Sequence, residues 1–371
     1  MKIIIDKNIP YIKGVFEPFA DVVYLPGKDF TREDTKDADA LIIRTRTICN
    51  EDLLAGSKVK VIASATIGFD HIDTEYCEKN NIFWTNAKGC NSRSVHQYVI
   101  AALLHLATKY KFDLKEKTLG IVGIGNIGSI LKEFAETIGM KVVINDPPLE
   151  RKGIEVDFKS YKELLEVADI ITYHVPLNMT GEDKTFHLVG EDAIDKMKNG
   201  VFVINSSRGE VVDNEILLKY IKEGKFGGVV LDVWENEPAI NKELLELVDL
   251  GTPHIAGYSA DGKANGTQMS VNAVAKVLDL PLTDWKVENV PPPENKEITS
   301  ASDGDVVDVL HELVPQTYAI NSDSEKLKSD ITSFELLRNT YPVRREFPAY
   351  VTNVKAKEDK LSKLEKIGFI C

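Results

Sequence analysis

The stretch LGIVGIGNIGSILKEFAETIG, residues 119–139, decides the fold. A β-branched run leads into three glycines spaced GxGxxG at Gly123, Gly125 and Gly128, and an amphipathic helix pattern follows at once. Gly123 permits a tight turn, Gly125 lets backbone approach a pyrophosphate, and Gly128 lets the helix pack on the strand. The first helical amides, at Asn126 and Ile127, face the anion. The next strand pattern, KVVIND (141–146), ends at Asp146, where a carboxylate accepts hydrogen bonds from the adenosine ribose hydroxyls and repels a 2′-phosphate. NAD is therefore the expected cofactor, in preference to NADP.

Outward from this turn the chain alternates strand and helix patterns. Downstream come DIITYHV (169–175), GVFVINSS (200–207), FGGVVLDV (226–233) and DLGTPHI (249–255), with helical segments between most of them, a count that suits a doubly wound dinucleotide domain. Upstream, KIIID, ADVVYL, ALIIR and KVIASAT read as strands and EDLLAG and DTEYCEKN as helices, which signals a second α/β unit with a parallel sheet. Between the two lies a helix-length stretch, 92–108, apolar on more than one face. A further helix is expected over about 262–278, and the three consecutive prolines at 291–293 then force an extended spacer. The remaining segment regains an amphipathic pattern but is short for an independent core, so support by a partner subunit is expected.

The chain has 371 residues, enough for two or three domains. Its net charge of −13 has the wrong sign for a phosphate backbone or an anionic membrane, so nucleic acid and membrane are not expected partners. No apolar run approaches a bilayer span and MKIIIDKNIP has no signal-peptide core, which points to the cytoplasm. Cys49, Cys77, Cys90 and Cys371 show no CxxC pairing or zinc spacing, and no metal site is expected.

Three polar residues stand at the C-terminal ends of successive strand patterns, where open α/β sheets place their ligands. Arg208 follows FVINSS and offers a planar fork that matches a carboxylate. Glu237 lies in LDVWENEP and His254 in GTPHIAGYS; a carboxylate touching the imidazole would fix its tautomer and favour its protonated form. Each alone reads as an ion-pair or structural residue. Together, behind a dinucleotide fingerprint, they supply the three roles needed to oxidise an alcohol next to a carboxylate.

GxGNIG, SSRGEVVDNEIL, LDVWENEP and GTPHIAGYS together resemble the D-isomer-specific 2-hydroxy acid dehydrogenases over about residues 40–280. A narrower resemblance, across nearly the whole chain, is to a branch of that family that oxidises 4-phosphoerythronate on the route to pyridoxal phosphate. It rests on ATIGFDHID, GCN, DPP at Asp146, GTPHIAGYS followed by DGKANGT, and LRNTYPVRREFPAY. The resemblance implies that Arg208, Glu237 and His254 are catalytic and that Thr45, Thr66 and Tyr258 touch substrate. It assigns Asp146, Ser206, Ser207, Asp232 and Gly257 to NAD, with the glycine turn. Two departures stand out: Gln97 replaces a generally acidic residue, and Thr45 a frequent serine.

The implied architecture is two Rossmann-like doubly wound parallel-sheet domains with a small α+β C-terminal dimerisation domain. The substrate domain is split (1–93 and 262–285), the NAD domain (94–261) is inserted in it, residues 286–371 form the third, and a homodimer is expected. A phosphorylated hydroxy acid needs a local positive site in so acidic a chain. Arg44 and Arg46, flanking Thr45, are assigned to the phosphate, with Arg344 or Arg345 reaching the same site across the dimer as a weaker expectation. The rival readings are a dehydrogenase of phosphoglycerate, glycerate, or hydroxypyruvate and glyoxylate, and an NAD-sensing protein that recruits a partner.

Overall fold

The computed structural model describes residues 1–355 and 357–371. The chain separates into two compact units, 1–92 with 258–291, and 93–257 with 292–371.

The first unit is built on a five-stranded parallel sheet of β1 (Lys2–Asp6), β2 (Asp21–Leu25), β3 (Ala40–Ile43), β4 (Val61–Ser64) and β5 (Phe83–Asn86), in the order β2-β1-β3-β4-β5. The central strands β3 and β4 are buried along their whole length, which is why they read as unbroken apolar runs. One face is covered by a helix, Ala260–Leu278, whose Val271 and Val274 pack with Ile3, Ile5, Ile42 and Ala63. Chain direction across the sheet reverses between β1 and β3. The loops after these two strands, which hold Asn8 and Arg44, therefore lie at the crevice where such sheets bind ligands.

The second unit carries a six-stranded parallel sheet of β6 (Thr118–Val122), β7 (Lys141–Asn145), β8 (Ile170–Tyr173), β9 (Val201–Asn205), β10 (Phe226–Leu231) and β11 (Leu250–Gly251). Its order, β11-β10-β9-β8-β6-β7, reverses direction at β6, directly before the glycine turn. The helix Asn126–Ile138 turns Leu131, Phe134, Ala135 and Ile138 inward, a single helical stripe, and stops at Gly139, where φ is +90°. The helix Ser92–Tyr110 has almost no exposed face before its last turn, which accounts for its lack of amphipathic contrast.

The C-terminal segment adds a two-stranded parallel sheet, β12 (Glu297–Ser300) with β13 (Val351–Val354), that the sequence pattern does not announce. The apolar series through KLKSDITSFELLRNTY is not one helix, because it breaks at Asp330 into Ile320–Ser329 and Phe334–Asn339. The sequence reading sets residues 286–371 apart as a third domain; in the structure 292–371 clusters with 93–257. Leu327 and Phe334 join the core that holds Trp234, Ile240, Leu244 and Val248, so part of the missing support comes from this chain's own NAD unit.

Candidate active site

The glycine turn shows why it requires glycine. Gly123 has φ +89°, and a Cβ on Gly128 would stand 2.1 Å from the Gly123 carbonyl oxygen. Gly125 is different: a Cβ there would meet nothing within 4 Å, which leaves open space beside the exposed first residue of the helix, Asn126. A dinucleotide pyrophosphate fits that space, with Ile127 next along the same turn. Asp146 fixes the turn from β7. Its Oδ2 accepts the Ile124 N–H at 2.8 Å, and its Oδ1 caps the following short helix at the Leu149 N–H, 3.0 Å away. The carboxylate thus presets the loop that the cofactor meets.

Arg208 leaves the end of β9. Asn205 shapes that turn by accepting from the amide and hydroxyl of Ser207 (3.1 and 2.8 Å) and donating to the Arg208 carbonyl (2.9 Å). The guanidinium Nη1 donates to the Ser207 carbonyl at 2.8 Å. Ser206 and Ser207 are buried beside it, and the Ser206 hydroxyl has no hydrogen-bond partner among the described residues.

Glu237 and His254 meet as the sequence reading requires. Glu237 Oε2 lies 2.8 Å from His254 Nδ1, and Oε1 accepts the Trp234 N–H at 3.0 Å. Burial pushes the Glu237 carboxyl up, but the His254 hydrogen bond and charge, the Trp234 amide and the charge of Arg338 outweigh it, holding the carboxyl below the ordinary glutamate range. A carboxylate on Nδ1 leaves Nε2 for proton transfer, and both side chains keep partial exposure, 33% for His254 and 20% for Glu237. The neighbouring Glu235 faces another histidine, with Oε1 at 2.7 Å from His187 Nε2 and Oε2 accepting the Asn214 N–H at 2.8 Å. The two carboxylates of WENEP thus serve separate histidines.

Asp232, expected at NAD, is 1% exposed and turned into the protein. Its carboxylate accepts from the Thr252 hydroxyl (2.7 Å), the Ile255 amide (2.8 Å) and the Ala256 amide (2.9 Å). These are the residues on either side of His254, so Asp232 shapes the histidine loop; Gly257, next along, keeps partial exposure.

In the first unit Arg44 follows β3 half-buried, Thr45 and Arg46 are exposed, and Thr66 and Tyr258 are half-buried. Arg44 Nη1 donates to the Asn8 carbonyl at 3.4 Å. The expectation that Arg344 crosses a dimer is corrected by its burial in its own chain, 5% exposed, with its Nη2 on the Ile255 and Ala256 carbonyls. Arg345 is half-buried, and its carbonyl accepts from Gln97 Nε2 at 3.1 Å. Gln97 Nε2 therefore donates to the Arg345 carbonyl and the Thr317 hydroxyl, on the helix where the family generally has an acid. Among the described residues no group of three or more His, Cys, Asp or Glu could hold a metal ion, and no helix is long and apolar enough to cross a membrane.

Comparison with known proteins identifies the family. Residues 93–256 match the NAD-binding domain of the D-isomer specific 2-hydroxyacid dehydrogenases, and 289–368 match a domain of unknown function. The chain is 50% identical over 351 residues to an erythronate-4-phosphate dehydrogenase of Bacteroides fragilis, covering 94% of this chain and 98% of that one. It is 40% identical to the enzyme of that name from Cronobacter sakazakii, covering 100% and 98%. Among solved structures, the NAD-bound 3-phosphoglycerate dehydrogenase of Entamoeba histolytica superposes with a TM-score of 0.63 at 28% identity, over 78% of this chain and 99% of that one. The D-lactate dehydrogenase of Aquifex aeolicus, complexed with NAD and lactic acid, gives 0.61 at 27% over 75% and 96%. The chain belongs to the D-isomer specific 2-hydroxyacid dehydrogenases, NAD-dependent enzymes that act on a CH–OH group, and within them to the erythronate-4-phosphate dehydrogenases.

Proposed function

We propose that this chain oxidises 4-phospho-D-erythronate to 2-oxo-3-hydroxy-4-phosphobutanoate with NAD, in the biosynthesis of pyridoxal phosphate in the cytoplasm. The observation that carries this reading is the 2.8 Å contact of Glu237 with His254 in a unit whose glycine turn and Asp146 are built for NAD. Arg208 holds the substrate carboxylate through its planar fork. His254 takes the hydroxyl proton, and Glu237 stabilises the imidazolium that results. NAD, when bound, supplies the hydride acceptor. Ser206, Ser207 and Gly257 line its side, Thr45, Thr66 and Tyr258 orient the substrate, and Arg44 with Arg46 takes the phosphate.

The test is purified protein with NAD and a panel of hydroxy acids, followed by nicotinamide absorbance. Preference for the 4-phosphorylated acid supports the reading. Preference for phosphoglycerate, glycerate or hydroxypyruvate moves the chain to another branch, and NAD binding without turnover makes it a sensor.

Cofactor choice has its own test. Asp146→Ser keeps a cap for the short helix but removes both the charge that meets the ribose hydroxyls and the acceptor of the Ile124 amide; the second loss weakens both cofactors alike, so the ratio reads the first. The NAD to NADP ratio of kcat/KM should fall by about tenfold or more, since one charge-assisted hydrogen bond is at stake. An unchanged ratio would remove Asp146 from the ribose.

A homodimer through the C-terminal segment is part of the same proposal. Leu336 and Val343 stand 62% and 56% exposed on that segment. The double variant Leu336→Glu with Val343→Glu should be monomeric by light scattering and melt at a lower temperature than the parent while keeping its far-UV circular dichroism. A persistent dimer would place the interface elsewhere.

A further inference from the structure

The backbone around His254 is held by buried charges of opposite sign. His254 has φ +56°, a region that residues with a side chain avoid unless their surroundings impose it. On one side Asp232 accepts the Ile255 and Ala256 amides. On the other, Arg344 Nη2 donates to the Ile255 carbonyl at 3.2 Å and the Ala256 carbonyl at 2.5 Å. The same nitrogen bonds the Ser94 hydroxyl, which itself donates to the Ala256 carbonyl at 2.8 Å.

The guanidinium also lies over two tyrosine rings. Its carbon lies 4.4 Å from the centre of the Tyr318 ring and 5.7 Å from that of Tyr341, whose hydroxyl donates to Asp323 at 2.7 Å. Arg344, Tyr318, Tyr341 and Asp323 all come from the C-terminal segment, so that segment contributes a built cation to the histidine loop. Taking a charge out of water is costly unless it is well paired, and an apolar side chain would fill the space without that penalty. Only Nη2 makes these bonds, and Nε and Nη1 are buried without a hydrogen-bond partner among the described residues; what the guanidinium adds is a donor whose place is fixed by the rings it lies over, aimed at two successive carbonyls whose amides are already held.

We propose that Arg344 is a positioning residue for His254, clamping the Ile255 and Ala256 carbonyls so that the imidazole stays on Glu237 with Nε2 ready for the substrate proton. The role rests on the reading of His254 as the acid/base and gives the C-terminal segment a task inside its own chain.

The experiment compares the full-length parent with Arg344→Met and Arg344→Lys by hydrogen exchange and steady-state kinetics. In Arg344→Met the amides of 252–258 should exchange about tenfold faster while β6 to β10 keep parent protection, since only a local clamp is lost. Turnover should fall by up to about 100-fold, the scale of a roughly 1 Å misplacement, with KM and NAD affinity within about threefold. Arg344→Lys, which keeps a charged donor without the flat group that lies over the tyrosine rings, should recover part of both. Parent-like exchange over 252–258, or a turnover loss matched by equal losses of NAD affinity and melting temperature, overturns the proposal. If Arg344→Met does not fold, Ser94→Ala carries the test. It removes the second donor to the Ala256 carbonyl and should give the same signature at about fivefold, and parent-like behaviour overturns the clamp. A parent that turns over no hydroxy acid would instead sink the catalytic reading, and the exchange arm would still decide the clamp.

Discussion

His254→Asn lowers the turnover of hydroxy acid oxidation by about 10²- to 10⁴-fold, the range that general acid/base catalysis supplies. Asparagine is the substitution of choice because His254 sits at φ +56°, where asparagine is among the few residues tolerated, so the loop keeps its path. The amides of Ile255 and Ala256 remain on Asp232 and their carbonyls on Arg344, since none of these bonds uses the imidazole. NAD affinity, read by quenching of intrinsic fluorescence, should therefore stay within about threefold of the parent while kcat collapses. A variant that loses NAD binding in proportion to turnover would show that His254 organises the cofactor side and that the proton goes to another group.

The same loop separates what the sequence discloses from what it conceals. The glycine turn is legible because its causes are local: a positive φ at Gly123 and a carbonyl 2.1 Å from where a Gly128 Cβ would stand. Arg208, Glu237 and His254 are distant in the chain but legible through topology, because each follows a strand of one parallel sheet. The structure adds the distinction between Glu235 and Glu237, which two residues of spacing do not express. Arg344 is misread for a related reason: a charged side chain suggests an external ligand, whereas here it is turned inward on the same peptide that Asp232 holds. Arg344 reaches partners 88 and 250 residues away, and no local pattern encodes such a pairing. The pairing of β12 with β13 is hidden likewise, since EITS is short and only half-buried and its partner strand lies more than fifty residues on.

Arg44→Ala should raise KM for the phosphorylated substrate by about 10- to 150-fold, the equivalent of the roughly 1.5–3 kcal/mol carried by hydrogen bonds to a charged group. The reasoning starts from the net charge of −13, which repels a substrate bearing carboxylate and phosphate. Screening over about 8 Å at physiological ionic strength leaves the nearest charges to decide whether it binds. Arg208 is assigned to the carboxylate, so a second cation is needed for the phosphate. Arg44 leaves β3 at the point where the first unit's sheet reverses direction, the position at which such sheets receive ligands. Its hydrogen bond there, to the Asn8 carbonyl, is a long 3.4 Å contact that costs little to give up. Replacing it should accordingly leave the melting temperature near that of the parent. A non-phosphorylated hydroxy acid should lose almost nothing in the same variant, and Arg44→Lys should fall between the two, because an ammonium keeps the charge without the planar fork. Equal losses on both substrates would take the phosphate away from Arg44 and favour a dehydrogenase of an unphosphorylated acid.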